Sequence, residues 1–209
     1  FSLFCFIGIA YEIRIMLILM FMLLLYFLVF YCNDLKCYLK NISISCILIL
    51  LLNLFWILPI FLSGGIIEAT KIFNRGLFGN NLFSLVQAFT IFESAWTGGY
   101  PNKYFVPQPI IWYFWFFPLI AFLALLFTRK NPHKKRILFF ATIALIGIFL
   151  TKQSAQPFSW MYPWLYDNFL GFNLFRETSK FYLLTAIGYL GLIGYSLLSI
   201  KNNKKLKKV

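Results

Sequence analysis

Apolar and polar positions along this chain fall in long blocks, not in the short alternations of a water-soluble fold. Ile15–Tyr31, Ile42–Leu62, Ile110–Thr128 and Phe181–Ile200 contain no charged residue, and charge flanks each block. A helix crossing roughly 30 Å of hydrocarbon needs about 17–25 apolar residues, so all four qualify as spans. A fifth block, Ile137–Leu150, gives only about 21 Å of helix at 1.5 Å per residue. It crosses if Thr151–Ala155 extends it and Lys152 snorkels outward; otherwise it forms a re-entrant segment. The pattern predicts an all-α, polytopic transmembrane helical bundle of about five spans. Outer loops 63–109 and 151–180 are expected to carry helices, and 201–209 to form a basic tail. Phe1–Ala10 is apolar, with neither a basic leader nor a small-residue cleavage site, which is unlike a signal peptide. It reads as the end of a truncated helix that turns at Tyr11-Glu12-Ile13-Arg14 into the first span, so the chain is expected to be a fragment.

Composition agrees with a membrane solvent. Of 209 residues, 61% are apolar and 12% charged, against about 45–50% and 25% in ordinary globular domains. A net charge of +13 on such a chain matters through its distribution. With five spans, one side collects 33–41, 129–136 and the tail, holding twelve basic residues and one acid. The other collects Glu12, Arg14, 63–109 and 151–180, holding seven basic residues and five acids. Basic loops face the cytoplasm, which predicts an integral, multi-pass protein of the cell membrane with its C-terminus inside. Trp56, Trp96, Trp112, Trp115, Trp160 and Trp164 all fall on the opposite side. Interfacial belts normally form on both sides, so this one-sided set predicts an aromatic outer surface that binds something.

Several chemistries are absent from the sequence. The lysines after Ile200 have no aromatic residues among them and no nucleic-acid fold around them, so nucleic acid is not an expected partner. They serve as a topological anchor or contact anionic head groups. Cys32 and Cys37, with His133 as the sole and distant histidine, cannot complete a zinc site. Cys5 and Cys46 lie in apolar runs and read as small hydrophobes. No metal constellation, phosphate-binding glycine loop or Ser-His-Asp set is present, and no cofactor is expected.

Candidate chemistry lies in the two outer loops. Leu82, Leu85, Val86, Phe89, Phe92 and Trp96 form a helical stripe, with Asn80-Asn81 as cap and Gly98-Gly99 as stop. This predicts an amphipathic helix in the outer interface. Trp96 and Tyr100 in the first loop, and Trp160, Tyr166 and Asp167 in the second, suit the apolar faces and hydroxyls of a sugar. They suit a head-group boundary equally. If Phe172–Phe181 is helical, Arg176 and Lys180 are i, i+4 neighbours, able to grip the phosphate of a lipid-linked donor. The same spacing also fits two snorkelling cations, with Glu177 paired to Lys180.

The run Pro157-Phe158, Tyr162, Leu165-Tyr166, Gly171-Phe172 and Phe175-Arg176-x-x-x-Lys180-Phe181 resembles the closing outer loop of certain GT-C-type membrane proteins. These are the YfhO-like and arabinofuranosyltransferase-like groups. Asn53-Leu54-Phe55-Trp56-Ile57-Leu58-Pro59 is similar to their Phe-Trp-x-x-Pro span. The resemblance covers the middle to the end of the chain. It implies a multi-pass glycosyltransferase that takes sugar from a polyprenyl-phosphate donor on the outer face and passes it to a glycan acceptor. It carries Arg176 and Lys180 over as phosphate contacts and implies that the catalytic acid lies upstream of Phe1. Asp167, Glu68 and Glu93 have no counterpart that makes any of them the base. A transporter or flippase for a lipid-linked glycan is the alternative, as is a non-catalytic membrane subunit. The nearly charge-free spans weigh against transport.

Overall fold

The computed structural model describes residues 12–31, 35–62, 77, 83–92, 96–99, 103–105, 109–128, 131–169 and 171–202. Phe1–Ala10, Asn80-Asn81, Tyr100 and the tail after Asn202 lie outside them. The secondary structure of the described residues is helical apart from one two-stranded antiparallel sheet. They belong to two compact units, Phe1–Phe78 with Tyr166–Arg176 and Gly79–Leu165 with Glu177–Val209.

In the first unit, α1 (Ile13–Phe30) follows an extended Glu12 whose carboxylate pairs with Arg14 at 2.6 Å. The two charges that precede the first apolar block thus pair with each other; the part of the predicted turn before Glu12 lies outside the described residues. The second helix, α2, runs Leu35–Leu62. Met16 of α1 and Ile49 of α2 are buried together, with Leu19 packed against them. Asn53 is buried, and its amide donates to the Ile49 carbonyl at 2.8 Å, so the helix backbone satisfies the side chain one turn back. Leu17, Phe21, Leu24 and Leu28 form an exposed apolar stripe along α1, at i, i+4, i+7 and i+11.

The second unit contains α3 (Leu85–Thr90), the strands β1 (Trp96–Gly99) and β2 (Lys103–Phe105), and α4 (Phe116–Leu126) after a 3-10 turn at Trp112–Trp115. It continues with α5 (Lys134–Thr151), α6 (Met161–Asn168, whose last residues pass into the first unit), a 3-10 turn at Thr178–Phe181 and α7 (Tyr182–Asn202). Ala88, Ala121, Ala124, Ala141, Ala144, Ile148, Tyr189 and Leu192 are among its core residues. Small residues let backbones approach closely. A Cβ on Gly147 would lie 2.5 Å from the Thr185 backbone nitrogen, and one on Gly188 would lie 2.7 Å from that of Ala144. These two contacts also fix α5 and α7 as antiparallel. Polar ties hold the rest. Tyr189 donates to the Phe89 carbonyl at 2.7 Å, Tyr182 to that of Phe92 at 3.2 Å, and Ser196 to that of Ile120 at 2.8 Å. The two tyrosines thus serve carbonyls at the C-terminal end of α3, where a helix runs out of its own donors.

Three expectations change. The amphipathic helix predicted over Leu82–Trp96 is six residues long. Ser84 and Gln87 form a reciprocal capping box that starts it, and Ile91, at φ 54, ends it. Gly98-Gly99 does not stop a helix but lies in β1, which pairs antiparallel with β2; the 63–109 segment is therefore not purely helical. The Ile137–Leu150 block gains length at its start, through Lys134–Arg136, and ends at Thr151. Lys152 does not snorkel: it is 0% exposed.

Helices lie over all five apolar blocks. Among the described residues, one stretch, Thr178–Lys201 with mean hydropathy 1.8, is long and apolar enough to cross a bilayer. Arg14–Phe30 and Trp112–Leu126 are shorter apolar helices. The α5 helix has 18 residues, but three of them are the cations Lys134, Lys135 and Arg136.

Candidate functional site

The turn after α5 is organised by a lysine. Its buried Nζ donates to the Ala155 carbonyl at 2.6 Å and to the Pro157 carbonyl, and lies 4.3 Å from the centre of the Phe149 ring. Two carbonyl dipoles and an aromatic face replace the water this ammonium would otherwise hold. Burial nevertheless pushes its pKa below the ordinary 10.5. Gln153 and Phe158 adopt left-handed backbone, with φ of 53 and 59, as the chain folds back around the ammonium. The sequence reading missed this role, because hydropathy treats a lysine at a helix end as a surface group. The polar, proline-containing run Gln153-Ser154-Ala155-Gln156-Pro157 was the available signal for a turn that offers carbonyls.

Beyond this turn the expected sugar-binding aromatics separate into exposed and packed rings. Trp160 and Trp164 are 63% and 54% exposed. Tyr162 is buried, with its ring 6.3 Å from and edge-on to that of Phe181. Tyr166 is buried as well, so its ring packs against protein and does not present a face to solvent. Its hydroxyl pKa is raised above 10 by burial first; the Arg176 guanidinium opposes this and the Asp167 carboxylate adds to it. Tyr166, Asp167 and Arg176 are thus brought into electrostatic reach of one another, with Asp167 exposed and Arg176 half-buried. Trp96 lies in β1 with Phe105 as its cross-strand partner.

The continuous helix that would set Arg176 and Lys180 four residues apart on one face is not formed. Phe172–Phe175 and Thr178–Phe181 are separate 3-10 turns. Arg176 caps the first, and Glu177 between them is extended at φ −105, ψ 111. Lys180 meets Glu177 across 3.6 Å, which is the ion pair that the alternative reading anticipates. Among the described residues, no group of three or more His, Cys, Asp or Glu side chains is placed to hold a metal.

A groove of about 390 Å³ opens in the second unit between α3, the 3-10 turn that leads into α4 and the C-terminal half of α5. Its lining is Leu85, Val86, Phe89, Trp115, Leu145, Ile148 and Phe149. Leu85, Val86, Trp115 and Leu145 are also exposed at the surface, so the groove is continuous with the apolar exterior. Phe149 borders it and also supports the Lys152 ammonium. The groove therefore ends beside the polar turn at residues 152–160. Patterning did not reveal it, because the lining residues come from three elements and carry no local signature. No family model matches the chain, and no curated protein or solved structure matches it either.

Proposed function

We propose that the chain is a multi-pass membrane domain whose extracytoplasmic end binds a lipid-linked sugar, as in a GT-C-type glycosyltransferase that draws on a polyprenyl-phosphate donor. The observation that carries this reading is the apolar groove beside the 152–160 turn. Its volume and wholly apolar lining suit an isoprenoid chain, and it opens onto a surface rich in exposed apolar side chains. That surface is extensive. Leu119, Leu126, Leu145, Leu190 and Leu197 in the second unit are all more than half exposed, a density that marks contact with another apolar phase. In the first unit, α1 and α2 have 18 and 28 residues, about 27 and 42 Å of helix, and α2 ends in the uncharged block Ile42–Leu62. If the apolar blocks alternate across the membrane, the basic segments and tail fall opposite the tryptophan-bearing segments, and on that count we place the C-terminus in the cytoplasm.

Exposed Trp160 and Trp164 offer faces for sugar rings. Tyr166, Asp167 and Arg176 offer a hydroxyl, a carboxylate and a phosphate-binding fork within electrostatic reach of one another; Lys180 enters the proposal from its place in the Arg-x-x-x-Lys-Phe run alone. In the full-length protein in its own membrane, Arg176→Ala and Lys180→Ala are each expected to weaken use of a polyprenyl-phosphate sugar donor about tenfold, the loss of one charge-assisted hydrogen bond. Near-normal glycosyl transfer by both variants would remove the phosphate-binding role.

A further inference from the structure

Thr151, Gln153, Thr178 and Thr185 are each no more than 1% exposed, and they hold five polar side-chain atoms that no group among the described residues satisfies. These atoms are three threonine hydroxyls and both ends of the Gln153 carboxamide. Their residues follow one seam. Ala144 packs on Gly188 and Gly147 on Thr185; continuing that antiparallel register by one turn brings Thr151 level with Phe181, and the turn after it level with Thr178. The Thr178–Phe181 segment packs on α5. Lys152 is not the missing partner, since its ammonium is committed to the Ala155 and Pro157 carbonyls.

We infer that the seam between the C-terminal end of α5 and the Thr178–Thr185 stretch binds internal waters, spread along it with Thr151, Gln153, Thr178 and Thr185 as their partners. The donor set selects the ligand. A hydroxyl both donates and accepts, and a carboxamide has two donors and an accepting oxygen. A cation would satisfy only the lone pairs, and an anion only the hydrogens. Water does both, and it is the smallest group that can. The site is separate from the proposed donor groove and does not depend on it. Its consequence is mechanical: water supplies the polar link where the α5–α7 pair reaches the Lys152 turn.

The test uses the full chain in lipid nanodiscs, with water-selective NMR cross-relaxation to the Gln153 side-chain amide and thermal unfolding of hydroxyl variants. Long-lived water is expected to give cross-peaks at Gln153 Nε2. Thr151→Val is expected to lower the unfolding midpoint by about 2–4 °C, and Thr151→Ser to retain it. Absence of the cross-peaks overturns the inference. So does a Val variant that melts at or above the parent, which marks a dry hydroxyl, or a Ser variant that falls as far as Val, which marks a packing effect.

Discussion

Gly188 and Gly194 lie six residues apart on α7 in opposite surroundings. A methyl group at Gly188 would meet the Ala144 nitrogen and Cα at 2.7 and 2.8 Å, whereas one at Gly194 would meet nothing within 4 Å. Backbone cannot rotate away as a side chain can, so Gly188→Ala is expected to force α5 and α7 apart and to cost about 1–3 kcal/mol. Gly194→Ala is expected to be neutral or to stabilise by up to about 1 kcal/mol through helix propensity. Thermal unfolding of the two variants in the same detergent checks the pair, and equal midpoints would contradict the close packing. Lys152 makes a second prediction at this scale. Unfolded, it holds its proton up to its ordinary pKa of 10.5; folded, burial makes it release that proton at lower pH. Between those two values the unfolded state binds more protons, so stability should rise as pH increases through that window and stay lower beneath it. Lys152→Met should abolish this dependence. It should also leave the Ala155 and Pro157 carbonyls without their donor, which limited proteolysis within residues 153–160 would report as faster cleavage.

At the scale of elements, α3 shows how little sequence separates a helix from a loop. Six residues are too few for a helix to hold by propagation alone, so its caps and its two tyrosine anchors carry it. Ser84→Ala removes the hydroxyl that accepts the Gln87 amide at 3.2 Å and should cost about 1 kcal/mol, with faster hydrogen exchange at Gln87 and Ala88. Unchanged exchange there would show that packing on Tyr189 and Tyr182 suffices. The apolar blocks made the positions of α1, α2, α4, α5 and α7 legible, because a run of some twenty apolar residues has few other conformations open to it. Boundaries were less legible. The stripe from Leu82 to Trp96 continues through Ile91, yet a single left-handed residue ends the helix there. Phe175–Phe181 has helical spacing on paper, yet Glu177 is extended. Of the candidate site, the electrostatic grouping of Tyr166, Asp167 and Arg176 was within reach of the sequence, since all three lie close together within the 151–180 segment. The Lys152 carbonyl clamp, the α3–α4–α5 groove and the buried threonine seam were not. Each depends on which face of one element meets another, and strongly apolar helices reveal little about that because almost every face is hydrophobic.

For the whole molecule, the net charge of +13 has a topological meaning under the proposed arrangement. Most of the excess belongs to segments 33–41 and 129–136, which reach into the first turns of α2 and α5, and to the tail, and little to the segments that carry the tryptophans. The proposed arrangement therefore makes an asymmetric prediction about two short turns at opposite ends of α5. Asn131 precedes it, next to the cationic run Lys134–Arg136; Ser159 follows it, within the Lys152 turn. The decisive measurement is labelling of single-cysteine variants, Asn131→Cys and Ser159→Cys, in a background with the four native cysteines replaced. A membrane-impermeant maleimide is added to intact cells. Ser159→Cys is predicted to react from outside, and Asn131→Cys only after the membrane is permeabilised. Labelling of both from the same side, or recovery of the chain in the soluble fraction, would contradict a membrane-crossing α5 and with it the extracytoplasmic site.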